Sequence, residues 1–355
     1  MKIKSIKSWS ADLGNTKPYT IAFKTVDEVL NAFVEITLDN GVTGIGAANP
    51  SEYVTGENFE QCSTALQEKN ISFLVGRDIR ELNQLTFEVW QKFPKNPAAR
   101  AALDIALYDA LTKFLNIPLV KFLGQKIQSL PTSNTIGIKN VEETLKEAQE
   151  YGERGFKILK VKLGIDLQED IERIVKLREK FGKKFVIRID ANQGYDSAKT
   201  IEFYNKTKHL DVELIEQPLP AKEIEATKKL PDHIRKIIAA DESLLTPKSA
   251  MELVKPPLAT GIFNIKLMKC GGISQALKIG DIAAQEDVEL FWGCNDESIV
   301  SITAALHVAF ACANTKYIDL DGSLDLARDV VKGGFILKDG IMSCSDKPGL
   351  GVERI

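Results

Sequence analysis

Asp190, Glu216 and Asp241 each end a short apolar run, in FVIRID, VELIE and IIAAD, and Lys266 ends a fourth in IFNIKL; the four are spaced 26, 25 and 25 residues apart. One strand, one helix and two loops take about 25 residues, so the series predicts consecutive βα units with a charged side chain at the same end of each strand. Three hard oxygen donors on neighbouring strands suit a divalent cation such as Mg²⁺, which takes a few carboxylates and leaves other positions for water or substrate.

Two further lysines stand upstream, Lys160 and Lys162 in FKILKVKL. Side chains two apart on a strand share a face, so both ammonium groups are expected inside the same barrel. A buried lysine is costly without a partner or a task. With Lys160 and Lys162 on a second strand, the acids on the third to fifth and Lys266 on the sixth, a metal would lie between amines on opposite sides of the barrel. Such a site suits proton abstraction beside a carboxylate, where a Lewis acid and nearby cations stabilise the enediolate. A basic lysine must be neutral, and Lys160 is expected to tune Lys162 by disfavouring its charged form.

The elements that must position these residues follow from the pattern. Strands are expected at Ser133–Ile138, Phe156–Leu163, Lys184–Asp190, Val212–Glu216, Ile237–Asp241, Ile262–Lys266, Glu289–Gly293 and Tyr317–Asp321, each followed by an amphipathic helix except the last. Eight parallel strands buried on both faces close into a barrel. Ahead of it, Lys2–Trp9 and Phe33–Leu38 alternate as strands, Asp39-Asn40-Gly41 makes a hairpin turn, and Asn58–Phe73 and the Ala-rich Pro97–Phe114 have helical spacing. The expected fold is α/β: a modified TIM barrel, (β/α)7β, over residues 125–324, with an α+β capping domain over 1–124 completed by 325–355. The tail from Phe335 to Ser343 is expected to be a hairpin.

Composition narrows the class of function. The 355 residues carry 46 Lys+Arg against 49 Asp+Glu, a formal charge of −3, and no basic block, which argues against a nucleic-acid partner. No run approaches the about 18 apolar residues of a membrane span, and Val300–Ala313 is expected to be a buried helix. The five cysteines are scattered with no CxxC pair, consistent with a reducing cytoplasm. His209, His233 and His307 fall at no barrel end. A small-molecule enzyme fits best, and a homo-oligomer is left open.

Taken in order, Pro118-Leu119, Gly124, Lys160-x-Lys162, Asp190-Ala191-Asn192, Glu216-Gln217-Pro218, Asp241-Glu242-Ser243, Asn264-Ile265-Lys266 and Pro348-Gly349-Leu350-Gly351 resemble the enolase superfamily, muconate-lactonizing-enzyme subgroup, over nearly the whole chain. The resemblance implies Asp190, Glu216 and Asp241 as Mg²⁺ ligands and Lys162 and Lys266 as the acid/base pair. Asp319 and Asp321, in YIDLDG, share a face and lack a cation in their own strand. This D-x-D resembles the dipeptide epimerases, in which paired acids hold the substrate's free ammonium while Mg²⁺ holds its carboxylate.

The resemblance therefore implies an isomerase inverting the C-terminal residue of an L-Ala-X dipeptide, L-Ala-L-Glu first. o-Succinylbenzoate synthase or muconate cycloisomerase on the same scaffold is the alternative, but their substrates have no ammonium for Asp319 and Asp321. Lys24 stands where glutamate-using relatives carry an Arg and is a candidate for the substrate side chain. Thr135 and Cys294 are further candidate substrate contacts at the ends of the first and seventh strands.

Overall fold

The computed structural model describes residues 1–16, 19–21, 24–26 and 28–355, with side chains described outside residues 17–27. Ile3–Asp12, Leu30–Leu38 and Thr43–Ala48 form an antiparallel meander. Its second turn runs through Asp39-Asn40-Gly41, with Gly41 at φ 85°, a conformation glycine adopts without steric cost. The third strand lies so close to helix Pro97–Phe114 that a Cβ on Gly44 or Gly46 would overlap the helix backbone at Ala106 or Ala102. Small side chains on both partners permit that approach, and the helix is buried from Pro97 to Thr112 between meander and barrel.

Asn58–Phe73 is not one helix but three short pieces, Phe59–Ala65, Glu68–Ile71 and Ser72–Leu74. Asn58 and Gln61 close a capping box at the start, and the chain turns at Gln67, which is non-helical. Leu66, Ile71 and Leu74 are all buried, and bending the chain brings all three into the core. Tertiary burial here overrides helical periodicity.

The barrel strands are Ser133–Ile136, Ile158–Lys162, Val186–Asp190, Val212–Glu216, Ile238–Ala240, Ile262–Ile265, Glu289–Trp292 and Thr315–Ile318. Each pairs in parallel with the next. All eight stand where expected, most of them shorter. The eighth ends at Ile318, so Asp319 and Asp321 lie just beyond it, although Asp319 N still donates to Trp292 O at 2.8 Å. The ring closes through a single bridge, Thr132 to Ile318, backed by a 3.0 Å bond from Leu320 N to Thr132 Oγ1.

Strand alternation sorts the barrel interior into layers. Leu214, Ala239, Ile262 and Phe291 make an apolar layer, with Arg188 stacked on Phe291 and Tyr317. Two residues further along come Asp190, Glu216, Asp241, Asn264 and Asp319, of which the four acids surround Lys160 electrostatically. Helix Ile299–Ala311 is buried from Val300 to Phe310, as its apolar run predicts. The tail hairpin, Phe335–Lys338 with Ile341–Cys344, pairs with Ser129–Pro131 just before the first barrel strand. Beyond it Leu350 N reaches Asp109 and Arg354 reaches Glu35 in the N-terminal region. Among the described residues no helix is long and apolar enough to cross a membrane.

Candidate active site

The predicted carboxylates and lysines meet at one end of the barrel. Lys162 stands in register with Asp190 on the adjacent strand. Lys160 is buried and touches three acids: Asp319 Oδ2 at 2.9 Å, Glu216 Oε2 at 2.9 Å and Asp190 Oδ2 at 3.4 Å. Burial alone would disfavour its charge, but the carboxylates of Asp319, Glu216, Asp190 and Asp241 prevail and hold the ammonium well above its ordinary range. The expectation that Lys160 serves mainly to tune Lys162 is thus joined by a different observation: Lys160 is the hub of an acid cluster.

Asp319 and Asp321 part company. The cation expected to be lacking in their own strand reaches Asp319 from the second strand, as Lys160, and Ser133 Oγ adds a 2.6 Å bond to Oδ1. Sequence separation hid that pairing. Asp321 accepts from Thr135 N at 2.8 Å, and burial together with the Asp319 charge pushes its carboxyl up to about 7. Thr135 thus meets the site through its backbone. Cys294 Sγ lies 3.3 Å from Asp319 O and accepts from Gly322 N at 3.3 Å, so it braces the loop bearing both acids. Lys24 begins a short strand, Lys24–Val26, but its side chain lies outside the described residues.

Glu216 is the most exposed to electrostatic conflict. Asn264 Nδ2 donates to its Oε1 at 2.7 Å, while the buried Oε2 has no hydrogen-bond partner; the Lys160 ammonium is close but misaligned. Burial and the neighbouring Asp190 charge push Glu216 up to about 8. Asp241, one residue past its strand, is held low because Lys266 and Lys269 outweigh its burial. Lys266 Nζ bonds Asp241 Oδ2 at 2.9 Å, and Lys269 Nζ bonds Oδ1. Against desolvation, the Asp241 charge raises Lys266.

The loops after these acids are strained. Asn192 has φ 43°, Gln193 66° and Gln217 33°, left-handed conformations that side-chain-bearing residues seldom adopt. They are locked by Gln193 N to Gln217 O at 2.7 Å and by Gln217 Oε1, which accepts from Asp241 N and from the Ser243 amide and hydroxyl. Such strain persists where surrounding bonds over-determine it, and here it aims Asp190 and Glu216 inward.

The donor set fits a divalent cation: three carboxylates, crowded enough to raise Glu216, whose buried Oε2 has an ion contact with Lys160 and no hydrogen bond. Among the described residues no three acidic, histidine or cysteine side chains alone cage a point, since lysines bridge the acids. Three further residues, given no role by the sequence pattern, shape the site. Asn264 and Lys269 hold Glu216 and Asp241, and Gly293 leaves room that a Cβ would take from Asn264 and Lys266. Their signal was spacing: Asn264 shares a strand face with Lys266, and Lys269 follows one helical turn later.

An eight-stranded barrel with acids on three successive strands between lysine-bearing ones defines an enolase-type fold, and the family models agree. Residues 7–124 match the mandelate racemase/muconate lactonizing enzyme N-terminal domain and residues 143–354 the enolase C-terminal domain-like model. The chain belongs to the mandelate racemase/muconate lactonizing enzyme family of the enolase superfamily. It is 53% identical to the L-Lys-D/L-Arg epimerase of Desulforapulum autotrophicum over the full length of both chains. The dipeptide epimerase of Methylococcus capsulatus complexed with Mg and the dipeptide L-Arg-D-Lys superimposes with a TM-score of 0.98 at 50% identity, covering 99% of each chain. A substrate-liganded L-Ala-D/L-Glu epimerase from Bacillus subtilis gives 0.94 at 33% identity, also covering 99% of each.

Proposed function

We propose that this protein is a Mg²⁺-dependent dipeptide epimerase, an isomerase that inverts the α-carbon of the C-terminal residue of a dipeptide. The carrying observation is topological: Lys162 ends the second strand and Lys266 follows the sixth, and the three acids stand at the ends of the strands between them, Asp241 one residue beyond its own. Asp190, Glu216 and Asp241 would hold the metal, which supplies Lewis-acid stabilisation of charge on the substrate carboxylate. Lys162 and Lys266 address opposite faces of the α-carbon, one removing its proton and the other returning one. Asp321, whose carboxylate is not claimed by a lysine, pairs with the substrate's N-terminal ammonium, and Asp319 anchors that arrangement through Lys160.

The preferred dipeptide is one bearing cationic side chains. Support comes from the L-Lys-D/L-Arg epimerases at 53% and 50% identity and from the acids near the mouth. Asn295 Nδ2 donates to Asn49 O at 3.2 Å and Asp296 O accepts from Asn31, so the loop carrying Asp296 and Glu297 meets the N-terminal region. Burial pushes Glu297 up to about 7, and Glu242, beside Asp241, likewise. L-Ala-L-Glu, expected from the resemblance to the dipeptide epimerases, retains the support of the L-Ala-D/L-Glu epimerases at 36% and 34% identity.

A dipeptide library incubated in D₂O and read by mass spectrometry tests both levels. Dipeptides ending in Lys or Arg are expected to gain one α-deuteron fastest and L-Ala-L-Glu more slowly; the reverse order would restore L-Ala-L-Glu. Lys162→Ala and Lys266→Ala should each abolish inversion while leaving exchange with one epimer. Absence of exchange with every dipeptide, or wild-type inversion by Lys266→Ala, overturns the assignment.

A further inference from the structure

Lys269 is buried with no exposed side-chain surface, yet it lies outside the acid/base pair. Its ammonium has three donors, and three acceptors surround it: Asp241 Oδ1, Asp241 O at 2.7 Å and Asn264 O at 3.0 Å. No donor is left over for a substrate. A buried ammonium without surplus function is expensive, and an apolar residue of similar volume would normally be cheaper. The position therefore calls for an explanation.

The two oxygens of Asp241 are treated differently. Oδ1 is held by Lys269, locked in place by two backbone carbonyls, whereas Oδ2 is held at 2.9 Å by Lys266, which keeps some exposure at the barrel mouth. Of the two partners, Lys266 keeps 8% of its side chain exposed and Lys269 none, so only the Oδ2 side borders the barrel mouth. Mg²⁺ demands near-octahedral coordination and uses few protein carboxylates, so each oxygen that a carboxylate adds removes a position from water or substrate.

We propose that Lys269 is a positioning residue: by occupying Oδ1 of Asp241, it leaves that side chain a single oxygen with which to face a bound Mg²⁺ and keeps metal positions open for the substrate carboxylate. This rests on Asp241 being a metal ligand, as proposed above. Lys269 then governs substrate binding without touching substrate. The short turn Leu267–Cys270 is what folds it back toward Asp241.

The test compares Lys269→Met, which keeps the stem but removes the ammonium, with Asp241→Asn. Mg²⁺ affinity is measured by calorimetry without substrate, and dipeptide KM and kcat at saturating Mg²⁺. Lys269→Met is expected to bind Mg²⁺ as tightly as wild type or more so, because a positive charge beside the cation is gone and a second oxygen is free. Its dipeptide KM should rise about tenfold or more, the scale of one lost charge-assisted contact.

Asp241→Asn, in contrast, should bind Mg²⁺ more weakly. If Lys269→Met weakens Mg²⁺ binding as Asp241→Asn does, or leaves KM unchanged, the single-oxygen role is overturned while the metal site stands. If Asp241→Asn leaves Mg²⁺ binding intact, Asp241 is no ligand and the proposal falls with that reading. Lys269→Gln, which keeps an N–H donor without charge, is read the same way should the Met variant fail to fold: a raised KM with Mg²⁺ affinity kept supports the role, and an unchanged KM overturns it.

Discussion

Two buried polar clusters sit within a strand of each other and behave in opposite ways. In the first, Asp170 has both oxygens filled: Arg173 bonds Oδ1 at 2.8 Å, while Gly164 N at 2.8 Å and the Tyr195 hydroxyl at 2.7 Å bond Oδ2. In the second, Glu216 Oε2 has no hydrogen bond and only an ion contact with Lys160 at 2.9 Å, and burial with the Asp190 charge still pushes its carboxyl up. The Asp170 cluster joins the loop after Lys162 to the loop after Asp190, so it is a brace. The Glu216 cluster stores electrostatic conflict that a bound cation can relieve. Full satisfaction suits a supporting role, and the shortfall at Glu216 suits the metal-binding role proposed for it.

Exchanging the two behaviours breaks the comparison. The largest effect is expected for Glu216→Gln, which should lower kcat/KM by roughly 10³-fold, several kcal/mol of lost transition-state stabilisation. Thermal unfolding of the metal-free variant should occur no lower than in wild type, because a crowded buried charge is removed. A variant that melts much earlier yet remains active would make Glu216 a structural acid.

Asp170→Asn should do the reverse. Leaving Arg173 without its buried partner is expected to cost about 3 kcal/mol of stability, measured by denaturant unfolding, with Mg²⁺ affinity largely kept. Loss of Mg²⁺ binding at wild-type stability would place the brace in the machinery instead.

The smallest effect concerns a group remote from both clusters. His307 is buried in helix Ile299–Ala311, its Nδ1 accepting from Val120 N at 3.0 Å, and burial pushes it down to about 3. Because the folded value lies below the unfolded one, its contribution to stability is present above about pH 6.5 and is lost as pH falls toward 3. That loss is about 2 kcal/mol at pH 5. His307→Asn should therefore show a shallower fall in Tm between pH 7 and pH 5, with Mg²⁺ affinity unchanged. An unaltered pH slope would show that His307 titrates normally.

Much of this was legible from residue order. A charge at the end of four successive buried runs repeats with the βα unit, so Asp190, Glu216, Asp241 and Lys266 announced the barrel and the candidate site. Alternation likewise placed Lys160 inward. The lysine that answers Asp319 was not legible, because Lys160 lies on a strand 159 residues earlier and becomes a neighbour only when the barrel closes. Lys269 was missed because a lysine in a short turn ordinarily faces solvent; only packing of Leu267–Cys270 against helix Pro97–Phe114 buries it. Asn58–Phe73 misled for a related reason, as helical periodicity says nothing about where the core lies.

By itself the sequence determined strand order, the inward face of each strand and the types of groups brought to one barrel end, since these depend on local periodicity and spacing. Tertiary structure alone decided which ammonium meets which carboxylate and which oxygen is left unbonded. It also decided which acids are crowded: Glu216 is pushed up while Asp241 is held low, though Glu216 ends its barrel strand and Asp241 follows its own by one residue. The physical reason is range. Periodicity acts over a few residues of chain, whereas Coulomb interaction and desolvation depend on distances and burial that exist only once the ring is closed.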